Sequence, residues 1–100
     1  MMRNIFLGFI RIHILYHASK EEIFGTAIMK ELKRHGYSIS PGTLYPILHS
    51  LENQKYLSIR KKVVKGKIRK YYKITGKGIS ALGKSKEKIR ELVSEVLEEK

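Results

Sequence analysis

The spacing of apolar residues changes twice along this chain of 100 residues. Between residues 5 and 53, apolar side chains recur every three to four residues, as on one face of an α-helix. Between residues 57 and 74 they alternate with polar side chains, as in a β-strand. The helical spacing returns after residue 76. This order predicts three helices, a hairpin and a final helix, so the expected fold class is mainly α with a small β-hairpin.

The first two helices are predicted from this spacing and from residue types that start or stop helices. The first helix covers residues 5–18 and carries one broad apolar face. Ser19 followed by Glu22 resembles a capping box, which predicts that the second helix begins between residues 20 and 25. Gly36 is a residue type that commonly follows a helix C-terminus, so the second helix is expected to end just before it.

The third helix is predicted to begin at Ser40 and Pro41, because a hydroxyl side chain caps a helix N-terminus and proline fits the first helical position. Its two faces differ in chemistry. The apolar face carries Leu44, Ile47, Leu48 and Leu51. The opposite face carries Gly42, Tyr45, Pro46, His49 and Asn53. Pro46 argues against a helix here, because it lacks the amide that would bond the carbonyl group of Gly42.

Positive charge is concentrated in the predicted hairpin. The formal net charge is +12, and nine Lys and Arg residues lie between residues 55 and 73, where there is no acidic residue. A field of this kind attracts polyanions such as a nucleic acid or an anionic lipid surface. A solvated, lysine-rich surface is the alternative interpretation. Tyr71 and Tyr72 in the same segment are interpreted as packing residues, because the alternation of a strand turns at least one ring inward.

Two absences narrow the function. The chain has no cysteine, and all nine acidic residues are glutamates. A disulfide framework, a thiolate zinc site and a thiol nucleophile are excluded, and catalytic arrangements that depend on aspartate lose a component. We therefore expect neither enzyme activity nor a cofactor. The absence of cysteine gives no argument for an oxidising compartment, so we expect a cytoplasmic protein. The apolar stretch at residues 5–16 is shorter than the roughly 20 residues of a membrane span, so we expect no membrane partner.

His13, His17 and Glu21 are four residues apart in turn, which could bring three metal ligands onto one face of a helix. The sequence offers no cysteine and no identifiable fourth ligand beside them. An apolar setting favours histidines that line the core or are partly exposed. We therefore assign no metal site from the sequence.

Three helices followed by a basic hairpin are typical of a winged helix-turn-helix domain. We expect residues 1–75 to form this DNA-binding domain and residues 76–100 to form a C-terminal dimerisation helix, in one compact unit. Helix 40–54 would lie in the major groove of double-stranded DNA, and the basic wing at residues 60–73 would lie along its phosphates. The predicted DNA-binding residues are Ser40, Gly42, Thr43, Tyr45, Pro46, His49, Lys65, Gly66, Lys67 and Arg69.

The final helix carries an apolar stripe that would be exposed in an isolated chain. The predicted dimerisation residues are Ile79, Leu82, Ile89, Val93 and Val96. Lys86 interrupts this stripe and limits the registers in which two such helices can pair. Pairing with a second copy would remove the stripe from water. The alternative is that the helix folds back on its own domain.

Three segments of the chain resemble motifs of PadR-type transcriptional regulators. The run Gly-Thr-Leu-Tyr-Pro at residues 42–46, continued through Glu52, is similar to the recognition-helix signature of that family. Residues 66–78 resemble its wing and the start of its last helix, and residues 24–32 resemble its second helix. The resemblance implies a homodimeric repressor that binds a palindromic operator, in a form with a short C-terminal helix. Some relatives bind drug-like or phenolic ligands at the dimer interface, and no residue is assigned to such an effector here.

Two other functions stay open at this point. The basic hairpin alone would also suit an RNA-binding or membrane-surface-binding module. A winged helix that mediates protein interactions without reading DNA is the second alternative. The polar face of the third helix and the basic wing occur together in this chain, which favours a DNA-binding regulator over both.

Overall fold

A computed structural model describes residues 2–100 of the chain. Its elements are, in order, α1 (Met2–Lys20), α2 (Gly25–Arg34), α3 (Pro41–Asn53), β1 (Leu57–Val64), β2 (Lys67–Ile74) and α4 (Gly76–Val96). The two strands pair antiparallel, from Leu57 opposite Ile74 to Val64 opposite Lys67. The expected fold class is confirmed: the described chain is mainly helical with one two-stranded hairpin, in the order of a winged helix.

The connection between α1 and α2 differs from the prediction. α1 continues to Lys20, so Ser19 lies in its last turn and donates its hydroxyl hydrogen to the carbonyl oxygen of Tyr16 at 2.5 Å. Phe24 precedes α2, and its side chain forms no capping hydrogen bond. The predicted capping box is therefore wrong, because Ser19 bonds backward within α1 instead of forward to α2.

The start of α3 agrees with the prediction, with Ser40 as the N-cap residue and Pro41 as the first helical residue. The Ser40 side chain forms no capping bond to the helix backbone, and its oxygen lies 3.4 Å from the hydroxyl oxygen of Thr43. Pro46 lies inside the helix without ending it. Because Gly42 and Pro46 are both exposed, water can bond the carbonyl group that has no helical partner.

One hydrophobic core joins the helices to the base of the hairpin. It consists of Ile10, Ile14, Leu15, Ala18, Ile23, Ile28, Leu32, Leu44, Ile47, Leu48, Leu51, Leu57, Tyr72 and Leu82. Ile23 and Tyr72 exchange two backbone hydrogen bonds of 2.9 and 2.7 Å, which attach the connection between α1 and α2 to β2. Tyr72 is buried, which confirms its packing role, and this burial raises the pKa of its hydroxyl group.

The hairpin ends in the two-residue turn Lys65-Gly66. Both residues have positive φ angles, 52° for Lys65 and 75° for Gly66. A turn of this hand follows the right-handed twist of paired strands, and glycine adopts it without steric cost. Beside the turn, Val63 and Ile68 lie opposite each other and are exposed. The tip of the hairpin therefore projects from the core.

The start of α4 is attached to the turn between α3 and β1. The Thr75 hydroxyl oxygen accepts a hydrogen bond from the amide of Gly78 at 3.0 Å and caps the helix. The Lys77 ammonium donates to the carbonyl oxygen of Gln54 at 2.9 Å. A Cβ atom at Gly78 would overlap the carbonyl group of Tyr56, so the close approach of helix and turn requires glycine there.

The distal half of α4, residues 83–96, contains no buried residue. Leu82 is the last buried side chain of the helix, with 5% of its surface exposed, and it belongs to the core of its own chain. Leu82 therefore packs mainly within its own chain, and its contact with a second copy stays a prediction. The described chain measures 55 × 28 × 20 Å. None of its helices combines the length and apolarity that crossing a membrane requires.

Candidate nucleic-acid interface

α3 and the hairpin flank a cleft of about 550 Å³, which the first residues of α2 complete. This recognition cleft is lined by Phe24, Gly25, Thr26, Tyr45, Val64, Lys65, Lys67, Ile68, Arg69 and Lys70. Four residues that were predicted to bind DNA come together in it, namely Tyr45, Lys65, Lys67 and Arg69. The cleft therefore combines a residue of the predicted recognition helix with the basic wing.

The Tyr45 ring packs directly on the backbone of Gly25. Gly25 is the first residue of α2 and is buried. A Cβ atom at this position would lie 2.7 Å from Cζ of Tyr45, much closer than the roughly 3.5–4.0 Å of a favourable carbon contact. The Tyr45 side chain is nevertheless 44% exposed. α2 therefore fixes the ring of Tyr45 while leaving part of it accessible from the recognition cleft.

A series of stacked side chains joins α2 to the hairpin. The guanidinium carbon of Arg69 lies 4.3 Å from the centre of the Phe24 ring, within the range of a cation–π interaction. The Phe24 ring meets the Tyr71 ring edge to face, with centres 5.5 Å apart. On Tyr71, the guanidinium carbon of Arg60 lies 5.2 Å from the ring centre. Arg69 therefore packs within the chain at the place where it was predicted to contact phosphate.

An ion pair extends this series to the connection between α1 and α2. Arg60 donates to the carboxylate of Glu22 from Nη2 at 2.9 Å and from Nε at 3.1 Å. Both bonds end on Oε2 of Glu22, and together they restrict the orientation of the guanidinium group. Both side chains are partly exposed, so the pair adds at most about 1 kcal/mol to stability. The pair links β1 to the connection between α1 and α2.

Most of the positive charge of the hairpin has no partner within the chain. Across residues 2–100, Arg60 is the only basic residue of β1, β2 and their turn that forms an ion pair. Lys65, Lys67 and Lys70 are exposed at the recognition cleft, and Gly66 lies between the first two in the turn. Solvated lysines of this kind are available to bind phosphates with release of counterions.

The remaining predicted DNA-binding residues lie along α3 outside the recognition cleft. Ser40 and Thr43 line a second cleft, of about 560 Å³, beside the start of α1. Gly42, Pro46 and His49 are exposed. The N-terminal end of α3 therefore lies between two clefts, with its polar face accessible.

Six residues that line the recognition cleft were not among the predicted site residues: Phe24, Gly25, Thr26, Val64, Ile68 and Lys70. Phe24 and Gly25 are the two that contact predicted site residues in the ways described above. Their contributions depend on Arg69 and Tyr45, which are distant along the chain. The segment 24–32 does resemble the second helix of PadR-type regulators, and that resemblance is the signal that could have identified them.

The apolar surface of α4 is continuous with α1. Four of the predicted dimerisation residues are exposed, namely Ile79, Ile89, Val93 and Val96. A cleft of about 360 Å³ between α1 and the distal half of α4 is lined in part by Phe9, Ile12, Ile89 and Leu92. Leu97, just beyond the helix, is also exposed. The unpartnered apolar surface therefore includes residues of both helices.

The chain has close relatives among known proteins. It matches the model of the transcriptional regulator PadR-like family over residues 14–84. It is 44% identical to the transcriptional regulator Rv3488 of Mycobacterium tuberculosis over 96 residues, which cover 96% of this chain and 90% of that protein.

Solved structures share the fold of the whole chain. An X-ray structure of a PadR-like transcription factor from Bacteroides fragilis aligns with a TM-score of 0.86 at 33% identity, covering 99% of this chain and 97% of that one. A crystal structure of a PadR-like transcriptional regulator from Bacillus cereus aligns with a TM-score of 0.79 at 31% identity, covering 98% and 93% of the two chains.

Proposed function

Because this chain belongs to the PadR-like family of transcriptional regulators, we propose that it binds double-stranded DNA sequence-specifically, as a homodimeric repressor on a palindromic operator. Proteins of this family are regulators and not enzymes. The observation that carries the proposal is the recognition cleft, which has exposed, unpaired lysines on one side and Tyr45 of α3 on the other. A regulator of this kind would act in the cytoplasm.

The proposed DNA contacts divide into two classes. Lys65, Lys67 and Arg69, with the turn at Gly66, contact phosphates and provide affinity without regard to sequence. The exposed face of α3 enters the major groove, where Tyr45 and His49 can offer a hydroxyl group and an imidazole to base edges. The remaining contacts come from the start of α3, where Ser40, Gly42, Thr43 and Pro46 approach the backbone.

The proposed homodimer rests on the distal half of α4. No residue of this segment is buried, so its apolar side chains Ile89, Val93 and Val96 are exposed. A second copy of the chain would cover them, and each fully buried side chain would contribute roughly 1.5–3 kcal/mol. The 21 residues of α4 form a rod of about 31 Å. This length is comparable to the roughly 34 Å between half-sites that are one turn of DNA apart.

Selection of bound sequences from a random duplex library by the purified protein tests the proposed function. We expect a palindromic consensus, because two α3 helices related by a two-fold axis read two equivalent half-sites. A single unrepeated motif would contradict the homodimer. Enrichment of no sequence would contradict sequence-specific recognition, and preferential binding to RNA or anionic vesicles in parallel would then favour those alternatives. A protein that binds none of these polyanions would fit an interaction adaptor.

A further inference from the structure

Three of the four histidines of the chain meet between α1 and α2. His13 and His17 are one turn apart on α1, and His35 directly follows the last residue of α2. One ring nitrogen from each histidine lies within 4.8 Å of the corresponding atoms of the other two. The rings of His13 and His35 are stacked with their centres 5.0 Å apart. Imidazole is the commonest metal ligand in proteins, so this grouping has the chemistry of a metal site.

Glu31 brings a carboxylate to the same place. Its Oε1 atom lies 3.3 Å from Nε2 of His35 and 3.9 Å from Nε2 of His17. Ligand atoms bound tetrahedrally to zinc, at about 2.0–2.2 Å from the metal, are separated from one another by about 3.4 Å. The two distances from Glu31 are already near that value. Rotation of the side chains can supply the contraction that the histidines need.

We propose that His13, His17, His35 and Glu31 bind one divalent transition-metal ion of the zinc class. Three imidazole nitrogens and one carboxylate oxygen match the number and type of ligands that tetrahedral zinc takes, and imidazole also suits cobalt and nickel. Two ligands come from α1 and two from the end of α2. A bound ion would therefore connect the first two helices of the domain.

Two neighbouring cationic side chains oppose metal binding at this site. Nη2 of Arg34 lies 3.2 Å from Oε1 of Glu31 and competes with a metal ion for that carboxylate. The Arg34 side chain is 73% exposed, so it can move into solvent when a metal binds. Lys86 of α4 lines the same cavity and also carries positive charge. Both residues lower the metal affinity that the four ligands would otherwise have.

The surroundings can accommodate the ion. The four ligands line a cavity of about 730 Å³, which Leu82 and Ile89 of α4 also line. Burial lowers the pKa of His13, the nearby His35 and His17 lower it further, and the Glu31 carboxylate opposes this shift. A neutral imidazole keeps the lone pair that a metal requires.

The sequence had suggested a different set, in which Glu21 joined His13 and His17. Glu21 is not part of the group of three histidines, and α2 supplies His35 and Glu31 instead. The missing fourth ligand was the reason to assign no metal site. The packing of α2 against α1 provides it.

Cobalt titration of the tag-free, full-length protein, after treatment with a chelator, tests the proposal. We expect one Co²⁺ per chain, with the strong visible absorption of tetrahedral cobalt, and its displacement by one equivalent of Zn²⁺. Zn²⁺ should also raise the Tm. No DNA is present in these measurements, so their outcome is independent of the proposed regulatory function.

Three variants identify the ligands. His35→Gln should weaken metal binding by at least about 100-fold, since changes to residues that merely support a ligand already cost 10–100-fold. His49→Gln is the matched control, because His49 is the fourth histidine of the chain and lies exposed on α3, and metal affinity should be unchanged. Arg34→Gln should tighten binding, because it removes the competing cation.

The proposal is overturned if cobalt gives no tetrahedral spectrum, or if the spectrum survives in His35→Gln. It is also overturned if His49→Gln abolishes the spectrum, or if Arg34→Gln fails to tighten binding. His35 is exposed, so its replacement should leave the circular dichroism spectrum of the protein unchanged.

Discussion

The hairpin and the distal half of α4 both project from one core, and they differ in the balance of charged and apolar side chains that they expose. Buried residues fix the base of each, Leu57 and Tyr72 for the hairpin and Gly78 and Leu82 for α4. Beyond these bases, the hairpin exposes basic residues and no acidic residue, whereas α4 exposes aliphatic side chains beside charges of both signs. The core fixes where the two projections begin, but it does not select what they bind. We expect the exposed chemistry to do so, with phosphates at the hairpin and a second copy at α4.

Ending the chain at Gly83 should have the largest effect on this comparison. Leu82 and the complete core are retained, so the shortened protein should fold as a monomer with weak non-specific DNA binding. Its operator affinity should fall by at least about 100-fold, because two half-sites are no longer linked at high effective concentration. Sedimentation and DNA titration of both proteins measure the two effects.

A point variant provides a finer test of the same projection. Val93→Glu should also give monomers, because it brings a charge into the apolar surface. Glu95→Ala changes a neighbouring residue that was not predicted to contact the second copy, and it should leave the dimer intact. A full-length protein that sediments as a monomer at tens of micromolar would contradict the assignment of α4.

Gly25→Ala should lower the stability of the domain from which the hairpin projects. The added Cβ would overlap the Tyr45 ring, and overpacking of this kind typically costs about 1–3 kcal/mol in the free energy of unfolding. Gly83→Ala is the matched control, because Gly83 lies in the distal half of α4, where no residue is buried. Nothing lies within 4 Å of its Cβ position, so alanine should stabilise the protein by roughly 0.5–1 kcal/mol. Urea unfolding of the two variants measures both changes in the free energy of unfolding. Equal changes would mean that the packing of the Tyr45 ring does not require glycine at position 25.

Tyr45→Phe and His49→Ala should separate sequence recognition from general affinity. Phenylalanine keeps the ring on Gly25 and removes only the hydroxyl group. Each variant should lose about 1–3 kcal/mol of discrimination between operator and random duplex, which is the usual cost of a lost base contact. Titration with both duplexes gives the difference. Equal losses on operator and random duplex would reduce these residues to backbone contacts or to a role in folding.

Lys67→Ala should have the smallest effect. It removes one phosphate contact, so the slope of log affinity against log salt should flatten by about one unit for every sequence alike. Lys84→Ala removes the same charge from the distal half of α4 and should leave the slope unchanged. If Lys84→Ala flattened the slope and Lys67→Ala did not, the DNA would lie against α4 and not against the hairpin.

Features that depend on neighbours in the chain were predictable from the sequence. The apolar face of α3, the turn at Gly66 and the order of the elements follow from residue spacing, and the structure has them where expected. The resemblance to PadR-type regulators is confirmed by the family match over residues 14–84. The apolar face of α3, the turn and each single element share a cause, because each is encoded in a short run of consecutive residues.

Features that depend on distant neighbours were not predictable in this way. Spacing identified Leu82 as part of an apolar stripe, but it could not show that the chain's own core covers this residue. Ser19 had the composition of a cap, and only the continuation of α1 decided against it. The contact of Arg69 with Phe24 joins residues 45 positions apart, which no local pattern reveals.

The attachment of α4 to the turn between α3 and β1 has a mechanical consequence. Gly78 rests on Tyr56, and Lys77 is bonded to Gln54, the residue that follows α3. α4 is a rod of about 31 Å, and it can tilt about this point of attachment. A rotation of about 10° there would move the far end of the rod by about 5 Å, as simple trigonometry on that length gives. In the proposed homodimer, a small tilt of α4 at this contact would therefore change the spacing of the two α3 helices.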